Sequence, residues 1–212
     1  MLLLAHRGFW QENIEKNTLK AFKKSFENNY GIETDIRDYG GGDLVVSHDI
    51  ADKNALNLKN LLALYKKYPL ECPLALNIKA DGLQFALKQV LEEYKITNYF
   101  VFDMSIPDTL AYIDLNFKVF VRQSELEPKP CLYEKADGIW LDEFYTHWID
   151  KEIIKNHLKQ GKKVCIVSPE LHCRDFIKEW EEYKKIDLEL NPRENLMLCT
   201  DYPQKAKDFF NV

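Results

Sequence analysis

The 212-residue sequence has little of what marks a linker, a membrane span or a disulfide-stapled scaffold. Glycine and proline number eight each, too few for a hidden low-complexity segment. No apolar run approaches the roughly 18–20 residues that a bilayer-spanning helix requires. The opening Met1-Leu-Leu-Leu-Ala run is too short for a secretory core and has no basic residues ahead of it, so a cytoplasmic protein is expected. The five cysteines (Cys72, Cys131, Cys165, Cys173 and Cys199) are odd in number and follow no metal-ligand spacing. Cys165 and Cys199 lie in apolar, strand-like runs and read as small core residues. An excess of positive charge is also missing. Lys and Arg number 29 against 34 Asp and Glu, a net charge of −5, which argues against nucleic acid as a general partner. The pairs Lys23-Lys24, Lys66-Lys67 and Lys162-Lys163 read as solvated helix faces. No apolar lip and no basic amphipathic helix announces stable membrane association.

What is present is a globular composition, 46% hydrophobic and 30% charged, with a regular alternation of short apolar runs and amphipathic stretches. Strands are expected at 2–7, 31–36, 44–48, 73–79, 98–104, 118–123, 138–143, 163–168 and 196–200. Helices are expected at 17–29, 58–67, 82–94, 107–114, 150–160, 173–184 and 203–209. In the first helix Leu19, Phe22 and Phe26 share one face, lysines fill the other, and Asn17 or Thr18 can cap the start. Tyr39-Gly-Gly-Gly-Asp43 joins two strands as a hairpin-like excursion. Counting that pair as one unit leaves eight strand units. Strand–helix alternation implies parallel strands with helical crossovers, and eight repeats imply a single α/β domain over 1–212, a closed (β/α)8 TIM barrel. The fifth helix is weak, and residues 125–137 read as largely irregular.

In such a barrel, active-site groups come from the C-terminal ends of the strands. Those ends here carry His6-Arg7, Glu33-Thr34-Asp35, His48-Asp49, Asn77-Ile78-Lys79, Asp103, Arg122, Asp142-Glu143, Ser168 and Asp201. The spacing of Glu33 and Asp35 puts both carboxylates on one face, where they repel unless a cation lies between them. Carboxylate and amide oxygens suit one hard divalent ion, Mg²⁺ or Ca²⁺. Two histidines on separate strand ends can act as acid and base near neutral pH. Arg7 and Lys79 suit an anionic group such as phosphate. The residues by themselves point to metal-assisted chemistry on a phosphate ester. Arg122, Asp142 and His172 are candidates to line the pocket, with plain salt bridging as the alternative. Trp10 is the aromatic best placed to stack on substrate, whereas Trp140 reads as core and His157 as surface.

At these positions the sequence resembles the glycerophosphodiester phosphodiesterases, a family in the superfamily of phospholipase-C-like phosphodiesterases. The resemblance rests on His6-Arg7-Gly8, Asn17-Thr18 with Ala21-Phe22, Glu33-Thr34-Asp35, Val46-Ser47-His48-Asp49 and Thr200-Asp201-Tyr202-Pro203, in order along the whole chain. It implies a TIM barrel of the phospholipase-C-like type and a small-molecule phosphodiester substrate. It also implies His6 and His48 as the general acid–base pair, Arg7 on the phosphoryl oxygens, and Glu33 and Asp35 as metal ligands. A neighbouring substrate hydroxyl would attack phosphorus, and water would open the cyclic phosphate to a phosphomonoester. Three departures stand out. Asn77 occupies the third-ligand position where the family has Glu, so the metal is expected to bind more weakly. Lys16 replaces another Glu, whose role the adjacent Glu15 could cover. Only about ten residues separate Asp49 from the next helix, where the family often inserts a subdomain. Two other outcomes remain open: a degenerate barrel that binds a phosphorylated ligand or partner without turnover, and a lyase that stops at the cyclic phosphate.

Overall fold

A computed structural model of the chain describes residues 1–212. Eight strands run parallel around a barrel: β1 (Leu2–His6), β2 (Gly31–Tyr39), β5 (Leu74–Ile78), β6 (Tyr99–Phe102), β7 (Phe120–Gln123), β8 (Gly138–Leu141), β9 (Lys163–Val167) and β10 (Leu196–Thr200). The two short strands β3 (Asp43–Val46) and β4 (Leu56–Asn57) add an antiparallel extension to the far end of β2, the hairpin expected from the glycine run. Pairing continues around the ring except between β6 and β7. That seam is held by one bridge, Val101 to Val119, where the Val101 N–H donates to the Lys118 carbonyl at 2.9 Å.

Seven helices cover the barrel: α1 (Leu19–Glu27), α2 (Leu58–Tyr65), α3 (Gln84–Glu93), α4 (Ile106–Asp114), α5 (Lys151–Lys159), α6 (Ile177–Leu190) and α7 (Pro203–Phe210). The crossover from β7 to β8 has no α-helix, only the 3-10 turn Tyr133–Lys135, in line with the weak pattern there. Thr18 caps α1 by accepting from the Ala21 N–H at 3.3 Å, which orders the first turn. Gly8 permits the close approach that follows β1. Its φ is +90°, and a Cβ there would lie 2.8 Å from the Ala21 Cβ on α1. The sixth helix departs from expectation. It begins at Ile177, not 173, because Pro169–His172 form a 3-10 turn ended by Cys173 at φ 58°. It then runs past 184 to Leu190, since Ile186 and Leu190 extend the apolar stripe of Trp180 and Tyr183.

Strand alternation divides the core into two layers. Leu3, Ile32, Leu76, Val101, Ile139, Ile166 and Leu198 face outward to the helices, packing with Phe22, Phe26, Trp180 and Tyr183. Leu4, Ala75, Phe100, Phe102, Phe120, Trp140, Cys165, Met197 and Cys199 fill the barrel interior. Trp140 is thus core, stacked on Phe102 at 4.0 Å between centroids. Each fully buried large side chain contributes about 1.5–3 kcal/mol. His157 is a correction to the surface reading. It is buried, with Nδ1 2.8 Å from the Tyr133 hydroxyl and Nε2 2.8 Å from Gln123 Oε1, and burial lowers its pKa. The turn that replaces the missing crossover helix packs Tyr133 over it. No helix is long and apolar enough to cross a membrane.

Candidate active site at the barrel mouth

The parity that sends Leu4, Ala75 and Trp140 inward also sends His6, Glu33, Asp35, Asn77, Arg122 and Asp142 toward the axis at the C-terminal mouth. Arg7 and Asp103 have the opposite parity, yet they join the same group. Both adopt the left-handed conformation, with φ of 55° and 70°, which turns their side chains back over the mouth. Such conformations in non-glycine residues cost free energy and persist where the surroundings hold them. Here Arg7 N–H donates to the Glu33 carbonyl and Asn17 N–H to the Arg7 carbonyl, each at 2.9 Å.

The polar side chains form a circuit around the mouth. His6 Nδ1 lies 2.6 Å from Asp201 Oδ1, and its Nε2 lies 3.8 Å from Glu33 Oε2. Asp35 Oδ2 accepts from Asn17 Nδ2 at 2.8 Å and faces Arg7 Nε at 3.1 Å, while Lys79 Nζ lies 3.3 Å from its Oδ1. Asn77 is paired in register with Asp35 and donates to Asp103 Oδ2 at 3.2 Å. Asp103 in turn holds Arg122. Arg122 Nε lies 3.9 Å from Asp142 Oδ2, whose other oxygen is 2.6 Å from His172 Nε2. Nine of the eleven sequence-expected site residues therefore fall in one connected network.

The remaining two stand at its edge. Trp10 donates its indole N–H to the His6 carbonyl at 3.0 Å, and the Lys16 ammonium covers its ring at 4.2 Å. His48 is half exposed, 2.8 Å from Asp49, and makes no direct contact with the network. It shares with Arg7 and Lys16 an open groove of about 520 Å³ between the β1–α1 and β3–β4 loops. Ile14 and Ile50, one in each of these two loops, are 85% and 89% exposed. Glu15 does not cover the role left by Lys16. It turns away to pair with Lys20 and to accept from the Gln11 N–H at 2.9 Å.

Electrostatics single out one corner of the mouth. Burial, reinforced by the charge of Asp35, pushes the Glu33 carboxyl well above the usual range against the pull of Arg7 and Lys79. Burial lowers the His6 pKa, opposed by Asp201. Three buried oxygens have no hydrogen-bond partner: Glu33 Oε2, Asp35 Oδ1 and Asn77 Oδ1. Leaving such atoms unsatisfied costs on the order of 1–3 kcal/mol each. Two carboxyl groups and one amide oxygen, of which only the Asp35 oxygen has a charged neighbour, the Lys79 ammonium at 3.3 Å, are the donor types of a hard divalent cation.

A second group of ligand-type atoms, on Glu143, His147 and Glu179, lies within 4.8 Å of one another. It belongs to the outer layer beneath α6. Glu143 already accepts from His147 (2.9 Å), from the N–H groups of Trp148 and Ile149, and from Arg174 and Tyr183. Its lone pairs are taken, so it ties α6 to the barrel rather than offering a metal site.

Four residues of the circuit were not among the expected site residues. Asn17 was visible only as a cap or motif residue, and Asp103 and Asp201 only as strand-end acids. Glu170 carried no signal: it accepts from the Ser168 and Thr200 hydroxyls and from the Asp201 N–H at 3.1 Å, clamping the ends of β9 and β10.

No protein-family model matches the sequence, and no curated protein matches it. Solved structures do. A glycerophosphodiester phosphodiesterase from Parabacteroides distasonis superposes with a TM-score of 0.71 at 17% identity, covering 99% of this chain and 96% of that one. A phosphodiesterase from Oleispira antarctica, solved with the product sn-glycerol-3-phosphate, gives 0.71 at 16% identity over 100% and 97%. A glycerophosphodiester phosphodiesterase from Agrobacterium tumefaciens gives 0.66 at 13% identity over 100% and 99%. At these identities the likeness establishes the fold, a (β/α)8 barrel matched from end to end.

Proposed function

We propose that this protein is a metal-dependent phosphodiesterase that hydrolyses a glycerophosphodiester-like small molecule to a phosphomonoester and an alcohol. The observation that carries the reading is the set of buried oxygens without a hydrogen-bond partner on Glu33, Asp35 and Asn77, with Lys79 ion-paired to the Asp35 oxygen and Arg7 and the His6–Asp201 pair beside them. The end-to-end likeness to solved phosphodiesterases supports it. Glu33, Asp35 and Asn77 would hold one Mg²⁺ or Ca²⁺. Such an ion would supply charge stabilisation at phosphorus and lower the pKa of the attacking hydroxyl.

The chain's own groups do the rest. Arg7 binds the phosphoryl oxygens through donors left free by Asp35. Lys79 adds a second positive charge. Asp201 accepts from His6 Nδ1–H, which leaves the Nε2 lone pair facing the mouth as a proton acceptor for the attacking substrate hydroxyl. His48, on the groove, donates the proton that the leaving alcohol needs. The O–P bond to the attacking hydroxyl forms as the bond to the leaving alcohol breaks. Water then opens the cyclic phosphate, with the two histidines exchanging roles. The short β3–β4 connection leaves the groove wide, so the substrate class is set by the phosphodiester more than by a deep pocket. ³¹P NMR on a panel of glycerophosphodiesters, with Mg²⁺, Ca²⁺ or EDTA, tests the reading. Metal-dependent appearance of a phosphomonoester, absent in His48→Ala, is expected. A cyclic phosphate as end product marks a lyase, and no turnover of any diester marks a binding barrel.

A further inference from the structure

The aim of the His6–Asp201 pair depends on backbone rather than on side chains. His6 Nδ1, 2.6 Å from Oδ1, is the one group hydrogen-bonded to the Asp201 carboxylate. No other side chain fixes that carboxylate, so its direction follows from the main chain beneath it. That main chain lies just past the end of β10 at Thr200, where strand pairing has stopped.

Glu170, in the connection between β9 and α6, supplies the missing constraint. Its Oε1 accepts from the Asp201 N–H at 3.1 Å, which fixes the peptide ahead of the Asp201 Cα. The same oxygen accepts from the Thr200 hydroxyl. The Thr200 oxygen in turn accepts from the Tyr202 N–H at 3.0 Å, which fixes the peptide that follows. Both peptides flanking Asp201 are thus tied to one carboxylate, directly or through one hydroxyl. The other end of Glu170 is anchored in the core. Ser168 Oγ accepts from the Trp180 indole N–H at 2.8 Å, which leaves its own proton for Glu170 Oε2. Ser168, Thr200 and Trp180 are all fully buried. Three neutral donors hold Glu170 with no cation among them, and burial raises its carboxyl pKa against their pull. A buried carboxylate without a counter-charge costs free energy as a mere clamp. What sets this one apart is that its ties converge on Asp201.

We propose that Glu170 is a positioning residue for the His6–Asp201 pair: by fixing the backbone on both sides of Asp201, it aims that carboxylate at His6 Nδ1 and keeps the Nε2 lone pair toward the mouth. The protonated nitrogen of a neutral imidazole is set by the hydrogen bond it makes. The effect on rate rests on the phosphodiesterase reading, whereas the effect on the His6 ring does not.

The test reads the His6 tautomer by long-range ¹H–¹⁵N NMR at about pH 8, where an imidazole is neutral, beside kcat and KM for sn-glycero-3-phosphoglycerol with Mg²⁺. The wild type should hold the Nδ1–H form. Glu170→Ala should convert it to a mixture with the Nε2–H form and lower kcat about tenfold or more, with KM little changed. Glu170→Gln keeps an oxygen for Thr200 and Asp201 and can donate to Ser168, so it should restore both readouts. Ser168→Ala cuts only the tie to the core, and should lower Tm while leaving the tautomer as it is. If Glu170→Ala does not fold, Glu170→Asp, which withdraws the carboxylate by one methylene, takes its place with the same expectation. A tautomer unchanged by loss of Glu170 overturns the proposal. So does a shift of equal size in Ser168→Ala, a wild-type ring not in the Nδ1–H form, or a shifted tautomer with kcat unaltered. If no diester turns over in the wild type, the phosphodiesterase reading fails, and the tautomer alone decides the role of Glu170.

Discussion

Asn77→Asp places a carboxylate at the proposed third-ligand position and turns the proposed metal site into a stability measurement. In the wild type, Asn77 Nδ2 donates to Asp103 Oδ2 at 3.2 Å, and Asn77 is the register neighbour of Asp35. The substitution replaces that donor with a negative oxygen facing two carboxylates. Two like charges about 4 Å apart at an effective dielectric near 20 repel by about 4 kcal/mol. Arg122 already neutralises part of Asp103, so a loss of about 2–4 kcal/mol is expected without metal, or about 4–16 °C in Tm for a chain of this size. A bound cation reverses the sign of the effect. At a concentration 100-fold above its dissociation constant it contributes about 2.7 kcal/mol, and the added carboxylate tightens its binding. Thermal unfolding followed by circular dichroism, in EDTA and in saturating Mg²⁺ or Ca²⁺, gives both numbers. Asn77→Ala, which removes the ligand without adding charge, is the control and should gain less from the cation than the wild type does. A variant as stable as the wild type in EDTA, or one that no divalent cation rescues, would refute the placement of the metal between β2 and β5.

Three further outcomes follow from the geometry. Asp201→Asn keeps the contact with His6 but loses its charge, so kcat should fall by about 10²-fold with KM little changed, as steady-state kinetics would show. Gly8→Ala places a Cβ 2.8 Å from the Ala21 Cβ at φ 90°, and should cost about 1–3 kcal/mol by urea unfolding while displacing Arg7. Glu179, pushed up to about 7 first by burial and then by Glu143, has a folded-state pKa above its unfolded value. Its stabilising share is complete below the unfolded pKa and is lost as pH rises through 7. Glu179→Gln should therefore leave Tm near the wild-type value at acid pH and raise it at alkaline pH, and a lower Tm at alkaline pH would contradict this.

The ring of eight strands was legible because the barrel imposes two simultaneous patterns. Alternation within each strand sorts Leu3 from Leu4 and Ile32 from Glu33, and recurrence along the chain marks the eight units. The same alternation made Glu33 and Asp35 a pair and put Asn77 beside them. What alternation cannot give is a residue that breaks it. Arg7 and Asp103 enter the mouth only because their backbones turn left-handed, which no side-chain pattern announces. Asp142 and Glu143 read alike in sequence, yet one faces the mouth and the other lies under α6. His157 looked solvated on a polar helix because the group that buries it, Tyr133, sits in an irregular crossover 24 residues away. Glu170 was invisible for a related reason. Its three partners come from the ends of two strands and from a backbone N–H, so its role exists only after β9 and β10 have paired.

The central claim is that the buried oxygens at the mouth hold an ion required for hydrolysis by the two histidines. Its most direct test is turnover of a glycerophosphodiester in H₂¹⁸O, first in EDTA and then with Mg²⁺ or Ca²⁺ restored, read by ³¹P NMR. The account predicts a phosphomonoester carrying one solvent oxygen, formed only after the metal is restored and absent in His48→Ala. A phosphomonoester formed equally well in EDTA, or no ¹⁸O-labelled product under any condition, would contradict it.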